Sequence, residues 1–542
     1  MREVGERLAN FYDPATGGLF MRHPTDPAAQ QELLSVLDEE LGEEEQQRCE
    51  GPQGDGTITA DEALTALRSL PRGKSPGSDG LTYEFYLAMW EVVGQPLVAA
   101  FNYAFSDPQR RLSERQRLGL IILIYKGGGK PRADPASYRP ITLLNTDLKI
   151  VAKVMVLRFG PALESVIDST QTAFVPGRDI ADNVLLHLEE VDYVQGEQGQ
   201  QGCILFLDFE KAYDRLDRDW VLRCMETMQF PGSSTRWVRL LLEGTCGQVM
   251  FNGGCTSRVF DIPSGCAQGS PLSPLLYVIA AQPLAAMCRT MQATGEAPGI
   301  LLPDGSQAPP SHQHADDTTL HGRTVDSVRT LLRRAVLPFC AASGAKLNAD
   351  KSQGMVLGAH PAMVGVDEET GVTFVDTTVT PIRHLGILLS ENGATAFAQQ
   401  LFEQRLRIIT HRVRHWSKLK LSLLSSVRWP GRCWHRAWCT TRSLCQCQRD
   451  SCPCCSGALR PLRWAWGVSP LKMQARSCAG PLQQWRTCRC SGAASDMWTC
   501  SPTSRRCRPR LQRRCYTRTG ARGSCSCTAT WTGRCRAGAH GS

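Results

Sequence analysis

The stretches CILFLDFEKAYD (203–214) and HADDTTL (314–320) decide how this chain is interpreted. The first is an apolar run of strand length that ends in Asp208, and the second places Asp316 and Asp317 side by side at a predicted hairpin tip. Adjacent carboxylates repel each other, so a tight turn that holds them normally needs a cation or strong donors. If the two stretches meet, three carboxylates form an oxygen site suited to two Mg²⁺ ions about 3.5–4 Å apart.

Simpler interpretations of the same residues stay open at this point. Asp208 alone is an ordinary strand-end acid or helix cap, and Asp316 with Asp317 is an ordinary solvated hairpin pair. Taken together in one site, the three carboxylates would activate an attacking hydroxyl and stabilise a leaving phosphate. Polymerisation of nucleotides is the reaction that fits such a site.

The composition is that of a folded protein, but the charge is unevenly distributed. The 542 residues are 42% hydrophobic and 21% charged, which excludes a disordered tail or a fibrous repeat and leaves room for about three domains. From Gly431 onward the chain has 19 Arg and 1 Lys against 2 Asp, a charge of +18, so the first 430 residues sum to −9 within the total of +9. The net charge therefore supports no conclusion about function.

Cysteine usage and apolar runs indicate a reduced, intracellular protein without a membrane span. The eight cysteines before Gly431 are scattered along the chain, and the N-terminus has no apolar core of a signal peptide. The longest apolar stretch, PLSPLLYVIAAQPLAAM (271–287), is interrupted by proline and predicts a buried helix.

The remaining chain divides by composition. Residues 1–56 are acidic and predict a leader or linker, and ITADEALTALRSL (58–70) has helical spacing. From Gly119 to about Ser390, strand-length apolar runs alternate with helical segments, which predicts an α+β fold.

The segment 428–542 differs from everything before it. It holds 16 of the 24 cysteines and 8 of the 12 tryptophans, with no sustained apolar period. A zinc module is disfavoured, because Cys452, Cys454 and Cys455 lack a second ligand pair at the usual spacing. A basic arm is an alternative, but we expect this segment to be out-of-frame translation and disordered.

Eight strings, in order, resemble the reverse transcriptases of non-LTR (LINE-type) retrotransposons. FLDFEKAYD, GCAQGSPLSPLL and HADDTTL are the most specific. The others are LPRGKSPGSDGLTYEFY, LIYKGGGKPRADPASYRPITLLN, QTAFVPGRDIADNV, GAKLNADKS and RHLGILLS. The resemblance covers about 70–427. It implies a right-hand polymerase fold with fingers at 57–202, a palm with an antiparallel sheet flanked by helices at 203–398, and an incomplete thumb beginning at 399–427.

The resemblance also implies roles at the reacting end of the nucleotide. Asp208, Asp316 and Asp317 correspond to the metal-binding aspartates of the palm, joined by the carbonyl of Phe209. Tyr213 stands at the position of the aromatic gate that would clash with a 2′-hydroxyl and so favour deoxynucleotides. Without the resemblance, Tyr213 is equally well a core aromatic.

Further residues match positions around the triphosphate and template. Lys126 and Arg139 would hold the triphosphate, and Lys351 would protonate the leaving pyrophosphate, although each is also an ordinary surface charge. Gln268 and Gly269 match a loop in which a small residue lets the backbone approach the nucleotide. For a sixth match, Arg178, contact with the template and stabilisation of the fingers both stay open.

The chain departs from the family pattern in several places. His314 stands where Tyr or Phe is usual, Ala267 where a basic residue is common, and Ser270 where Cys is common. We also expect the chain to be truncated at both ends and to lack the endonuclease that such elements carry.

The function implied is an RNA-directed DNA polymerase that extends a DNA primer on an RNA template. Its expected cofactor is Mg²⁺, with Mn²⁺ as a substitute, its substrates are dNTPs, and nuclear and/or cytoplasmic location follows from the family. A catalytically inactive nucleic-acid-binding relic of a retroelement is the main alternative. An RNA-dependent RNA polymerase is a third, against which Tyr213 argues. The sequence does not indicate an oligomeric state.

Overall fold

The computed structural model describes residues 2–196, 199–359 and 363–392, together with residues 400–411 other than 401, 405 and 409. The expected tail at 428–542 and most of the expected thumb at 399–427 lie outside these residues. The α-helices of the described part are, in chain order, α1 (Arg2–Tyr12), α2 (Pro27–Leu34), α3 (Glu43–Glu50), α4 (Ala60–Ser69), α5 (Tyr83–Ala88), α6 (Trp90–Phe105), α7 (Glu114–Arg117), α8 (Thr146–Phe159), α9 (Leu163–Val166), α10 (Ile180–Gly196), α11 (Ala212–Arg215), α12 (Arg218–Thr227), α13 (Gly232–Leu242), α14 (Ser273–Ala293), α15 (Val325–Leu331) and α16 (Leu337–Ser343).

The strands form three sheets. In chain order they are β1 (Leu118–Tyr125), β2 (Tyr138–Leu143), β3 (Gln201–Leu207), β4 (Cys246–Phe251), β5 (Cys255–Asp261), β6 (Ser311–His314), β7 (Asp317–Gly322), β8 (Gln353–Gly358), β9 (Gly365–Val366), β10 (Thr373–Phe374), β11 (Ile382–His384) and β12 (Ile387–Leu389). Their orders are β2-β1-β4-β5, β6-β7-β3-β8-β10-β9 and β11-β12. All neighbours are antiparallel except β1 with β4 and β8 with β10, so the mixed α and β architecture expected from the sequence is confirmed.

The central strand β3 is buried on both faces. Leu205 and Leu207 pack into the larger hydrophobic cluster, which includes α12 and α14, while Ile204 and Phe206 pack into a second cluster with α10 and the β11-β12 hairpin. A strand covered on both sides needs apolar residues at successive positions instead of alternate ones. This explains the unbroken apolar run that precedes Asp208.

Helix α14 matches the expectation of a buried helix. Sixteen of its residues are buried, although Pro283 lies inside it. No helix in the described ranges has both the length and the apolar character needed to cross a bilayer.

The acidic N-terminal segment is folded against the rest of the molecule and is not a free linker. Tyr12 of α1 packs with Phe260 of β5 at a ring distance of 6.3 Å, and Leu33 of α2 and Cys49 of α3 belong to the larger hydrophobic cluster. The composition hid these contacts, because a few apolar residues among many acids are enough to form one buried face per short helix.

The four-stranded sheet crosses the predicted boundary between fingers and palm at residue 203. It joins β1 and β2 from the expected fingers to β4 and β5, which lie about a hundred residues further on in the expected palm. Sequence order could not indicate this, because the parallel pairing of β1 with β4 is a long-range contact.

A buried arginine connects the N-terminal segment to α8. Arg158 has a side chain that is 4% exposed, and its Nε lies 2.8 Å from Oε1 of Glu62. Its other nitrogens donate to the carbonyl oxygens of Glu50, Gly56 and Thr57.

Replacing this arginine should destabilise the fold strongly. We expect Arg158→Met to lower the free energy of unfolding by about 3–5 kcal/mol, because a carboxylate and three carbonyls lose their buried donor. The matched control is Arg48→Met, which removes an exposed i,i+4 pair with Glu44 and should cost less than about 0.5 kcal/mol. Urea unfolding of both variants measures the difference, and similar costs would contradict the structural role of Arg158.

Candidate active site

The pairing of β3 with β7 brings the three aspartates to one end of the central sheet. Leu207 pairs with Thr318. Asp208 directly follows Leu207 and Asp317 directly precedes Thr318, so both aspartates lie at the same end of the paired strands. His314 pairs with Asp317, which leaves Ala315 and Asp316 as the two-residue turn between β6 and β7. Ala315 has a φ of 57°, as such hairpin turns require.

The carboxyl groups are close enough to perturb one another. Burial, with Asp208 as a further cause, raises the pKa of Asp316, and burial with the charges of Asp316 and Asp208 raises the pKa of Asp317 to about 6. The carboxyl groups of Asp316 and Asp317 therefore resist ionisation, which is the electrostatic condition that a bound divalent cation relieves. The donor set of three carboxylates fits Mg²⁺, a hard cation that prefers oxygen ligands.

Asp208 is held by the loop that precedes β8. The Asn348 side-chain amide donates to Oδ2 of Asp208 at 3.0 Å, and the Ser352 hydroxyl accepts from the backbone N–H of Asp208 at 3.1 Å. Lys351 Nζ lies 3.4 Å from the same Oδ2. Lys351 was the one residue of the string GAKLNADKS predicted to act at the site. The roles of Asn348, which contacts the carboxylate of Asp208, and of Ser352, which contacts its backbone, were not predicted.

A cluster of cations lies beside the carboxylates. The pKa of Lys126 is lowered by burial and then by the charges of four other cations, Lys130, Lys211, Arg139 and Lys351. Lys126 Nζ donates to the carbonyl of Ala136 at 2.8 Å, which fixes its position. Residues that are far apart in sequence thus form one positive surface, a suitable contact for a polyanion. Lys130 and Lys211 were not among the sequence-based candidates.

Tyr213 is half-buried between the carboxylates and the core. Its ring stacks on that of Tyr277 from α14, with centroids 4.8 Å apart and planes at 26°. Burial raises the pKa of Tyr213, and the charge of Asp316 raises it further, so the phenol stays neutral and lies near that aspartate. One face of the ring packs on the core, which agrees with the core-aromatic interpretation, and the role as an aromatic gate stays a prediction.

Gln268 contacts protein groups in this structure. Its side-chain amide donates to both carboxylate oxygens of Asp214, each at 3.0 Å, and its backbone carbonyl accepts from the backbone N–H of Thr142 at 2.8 Å. Gly269 has a φ of 137°, and a Cβ there would lie 2.3 Å from the Thr142 carbonyl oxygen. The glycine is therefore needed for the close approach of this loop to β2.

The side chain of Arg178 binds backbone carbonyl groups of the protein. Its guanidinium donates to the carbonyl oxygens of Ile167, Asp168 and Gln171, and so ties the segment before α10 together. Of the two roles left open, the stabilising one agrees with these contacts. His314 is half-buried and its Nδ1 lies 3.0 Å from the Thr172 hydroxyl, so the imidazole is accommodated by a polar contact that Phe could not make.

Comparison with known proteins shows which family this chain is similar to. Residues 125–389 match the model described as "Reverse transcriptase (RNA-dependent DNA polymerase)". The chain is 31% identical over 394 residues to "Transposon TX1 uncharacterized 149 kDa protein" of Xenopus laevis, covering 71% of this chain and 28% of that protein.

Two relatives from Drosophila melanogaster agree. "Retrovirus-related Pol polyprotein from type-2 retrotransposable element R2DM" is 28% identical over 281 residues, which is 51% of this chain and 24% of that protein. "Probable RNA-directed DNA polymerase from transposon BS" is 27% identical over 226 residues, or 41% of this chain and 24% of that protein. The chain spans only about a quarter of the length of these relatives.

The contact between Asp214 and Gln268 generates a pH prediction. Burial raises the pKa of Asp214 to about 7, so the folded protein binds a proton that the unfolded chain has already released above pH 4. The stability contributed by the protonated carboxyl is thus full below about pH 4 and is lost as the pH rises to about 7. Asp214→Asn should remove this dependence.

The measurement is a series of urea unfolding curves at several pH values. Relative to the wild type, Asp214→Asn should gain stability by about 1.4 kcal/mol per pH unit between about pH 4 and 7, and the gain should then level off. The control Asp304→Asn, at an exposed loop position, should give a curve parallel to that of the wild type between about pH 4 and 7, because the pKa of Asp304 is lowered by its hydrogen bonds with Ser306 and the group stays ionised in this range. Parallel curves for wild type and Asp214→Asn would contradict the assigned pKa.

Proposed function

This chain carries a reverse transcriptase domain of the non-LTR retrotransposon type, and from that premise we propose that it is an RNA-directed DNA polymerase whose active site is the end of the central sheet. The observation that carries the proposal is the convergence of Asp208, Asp316 and Asp317 beside the Lys126 cation cluster. A polymerase needs both features, because it must hold metal ions at the reacting phosphate and bind a triphosphate next to them.

The metal ligands in this proposal are the carboxylates of Asp208, Asp316 and Asp317, joined by the carbonyl of Phe209. Bound Mg²⁺, or Mn²⁺ in its place, would lower the pKa of the primer 3′-hydroxyl and stabilise the charge on the leaving pyrophosphate. The Asn348 amide would keep the Asp208 carboxylate in one orientation, as hydrogen bonds to metal ligands do, and the Ser352 hydroxyl holds the backbone of Asp208.

The remaining residues would position the deoxynucleotide. The cations around Lys126, including Arg139, would hold the triphosphate, and Lys351 would donate a proton to pyrophosphate as it leaves. Tyr213 would support the sugar, its ring kept in place by Tyr277. The contacts of Gln268 and Gly269 with Asp214 and Thr142 support an indirect role for that loop, in which it fixes the position of β2 and of the residues after β3.

We propose that the central six-stranded sheet is the palm of a right-hand polymerase. The four-stranded sheet then belongs to the fingers, which means that β4 and β5 join residues 57–202 in that subdomain. An RNA template and a DNA primer would lie across the exposed end of the central sheet.

Primer extension tests the proposed chemistry. With an RNA template, a DNA primer, dNTPs and Mg²⁺, the wild type should extend the primer, and Asp316→Asn should lower the rate by about 1,000-fold or more, since a neutral amide is a poor ligand for a hard cation. Asp304→Asn makes the same chemical change at an exposed loop and should keep full activity. Template binding without extension by the wild type would show that the chain is an inactive relic.

Replacing Tyr213 tests the sugar contact. Tyr213→Ala should remove the steric clash with a 2′-hydroxyl and reduce the preference for dNTPs over NTPs by on the order of tenfold or more, mainly through faster use of NTPs. The ratio of kcat/KM values for a matched dNTP and NTP measures this preference. Tyr103→Ala removes a tyrosine that is 64% exposed and should leave the ratio unchanged. Equal ratios for Tyr213→Ala and wild type would contradict the gate.

A further inference from the structure

A second polar cluster lies inside the molecule, on the face of the central sheet that carries Ile204 and Phe206. It consists of Glu190 on α10, His312 on β6 and His321 on β7, whose ligand-type atoms all lie within 4.8 Å of one another. Their side chains are between 0% and 6% exposed. Among the described residues no other group of three meets this spacing, so the three aspartates of the active site are more widely separated.

Burial of these groups next to apolar residues requires that each charge and each lone pair be compensated. Glu190 Oε1 lies 3.0 Å from His312 Nε2, an ordinary hydrogen-bond contact. Glu190 Oε2 lies 2.6 Å from His321 Nδ1, yet neither atom has a hydrogen-bond partner of acceptable geometry. This pair is the unusual feature of the cluster.

The proton positions on the neighbouring groups follow from their partners. His187 Nδ1 lies 2.6 Å from the carbonyl of Asn183, and a carbonyl only accepts, so Nδ1 carries the hydrogen. With its hydrogen on Nδ1, the neutral His187 ring offers Nε2 as an acceptor. The donor to that nitrogen is the Thr319 hydroxyl at 3.0 Å, a shorter contact than the 3.4 Å from the same hydroxyl to the carbonyl of His312.

The hydrogen position on His321 follows from its contact with Thr319. The Thr319 hydroxyl has given its only hydrogen to His187, so at 2.9 Å from His321 Nε2 it can only accept, and His321 Nε2 carries a hydrogen. A neutral His321 then directs a bare lone pair from Nδ1 toward the Glu190 carboxylate. Two lone pairs that face each other at this distance need a cation between or beside them.

We propose that Glu190, His312 and His321 form a binding site for a divalent transition metal, with Zn²⁺ as its physiological occupant. Two imidazole nitrogens and one carboxylate are the donor set that zinc takes in proteins, whereas Mg²⁺ prefers an all-oxygen set. The Thr319 hydroxyl supplies the outer contact that fixes the ring of a metal-binding histidine.

The position of the site indicates what the metal would do. Glu190 belongs to α10, while His312 and His321 belong to the two strands of the hairpin that carries Asp316 and Asp317. A metal bound there would fix the hairpin to the helix behind it, from the side of the sheet opposite α14. The site would be structural and separate from the ions at the active-site carboxylates.

The experiment measures bound metal in the full-length chain. Reactive thiols are first alkylated, because cysteine sulfur competes for zinc, and the protein is loaded with Zn²⁺ in an excess of Mg²⁺ and then dialysed. Elemental analysis compares the wild type with Glu190→Gln and His321→Gln. The matched control is His384→Gln, which replaces a histidine of the same neighbourhood whose ring lies 5.1 Å from that of His187.

The wild type and His384→Gln should retain one more zinc per chain than Glu190→Gln or His321→Gln. Loading with Co²⁺ should give visible absorption without thiolate charge-transfer bands, and this absorption should be lost in the same two variants. Equal metal content in the wild type and both variants, or loss of metal in His384→Gln, would overturn the proposal.

A measurement on the wild type alone covers the case in which the variants do not fold. Zinc added to the metal-free protein in excess Mg²⁺ should raise the melting temperature by several degrees, and a nitrogen chelator should reverse the rise. An unchanged melting temperature would overturn the proposal and would identify the cation as a proton on His321. Neither result depends on polymerase activity, so this proposal and the proposed function can fail separately.

Discussion

The antiparallel pairing of β3 with β7 is the constraint on which the rest of the site depends. Because Leu207 is opposed by Thr318, the residues at the adjoining strand ends, Asp208 and Asp317, meet although they lie more than a hundred positions apart in the chain. A slip of one residue would turn every side chain of β3 to the other face. Both faces pack against buried clusters, so burial on two sides fixes that register and with it the position of the strand ends that carry Asp208 and Asp317.

Charge is arranged around this strand end in two zones of opposite sign. Burial and the neighbouring carboxylates raise the pKa of Asp316 and Asp317, and burial and the neighbouring cations lower the pKa of Lys126. Each zone alone costs stability, and each is relieved by a ligand of the opposite sign. A metal–triphosphate complex would satisfy both zones at once, which gives a physical reason for two unfavourable clusters to lie side by side.

The sequence predicted much of the candidate site because the residues of that site lie in short, contiguous motifs. The strand before Asp208, the hairpin turn at Asp316 and the helix after Leu272 all follow from apolar runs and turn residues, and the structure has them. It did not predict that Asn348 and Ser352 orient Asp208, or that Gln268 pairs with Asp214, since hydrogen bonds between distant segments leave no periodic signal. It was also misleading for residues 1–56, where acidic composition concealed helices that pack on the core.

The sequence by itself determined the family, the order of the motifs and the three aspartates that we propose as metal ligands, because short strings fix strand ends and turns through local backbone preferences. Only the tertiary structure decided that β4 and β5 join β1 and β2, that five cations form one surface, and that Glu190, His312 and His321 meet behind the active site. These are contacts between segments far apart in the chain. Their partners are chosen by which surfaces can be buried together, and no single stretch of sequence records that choice.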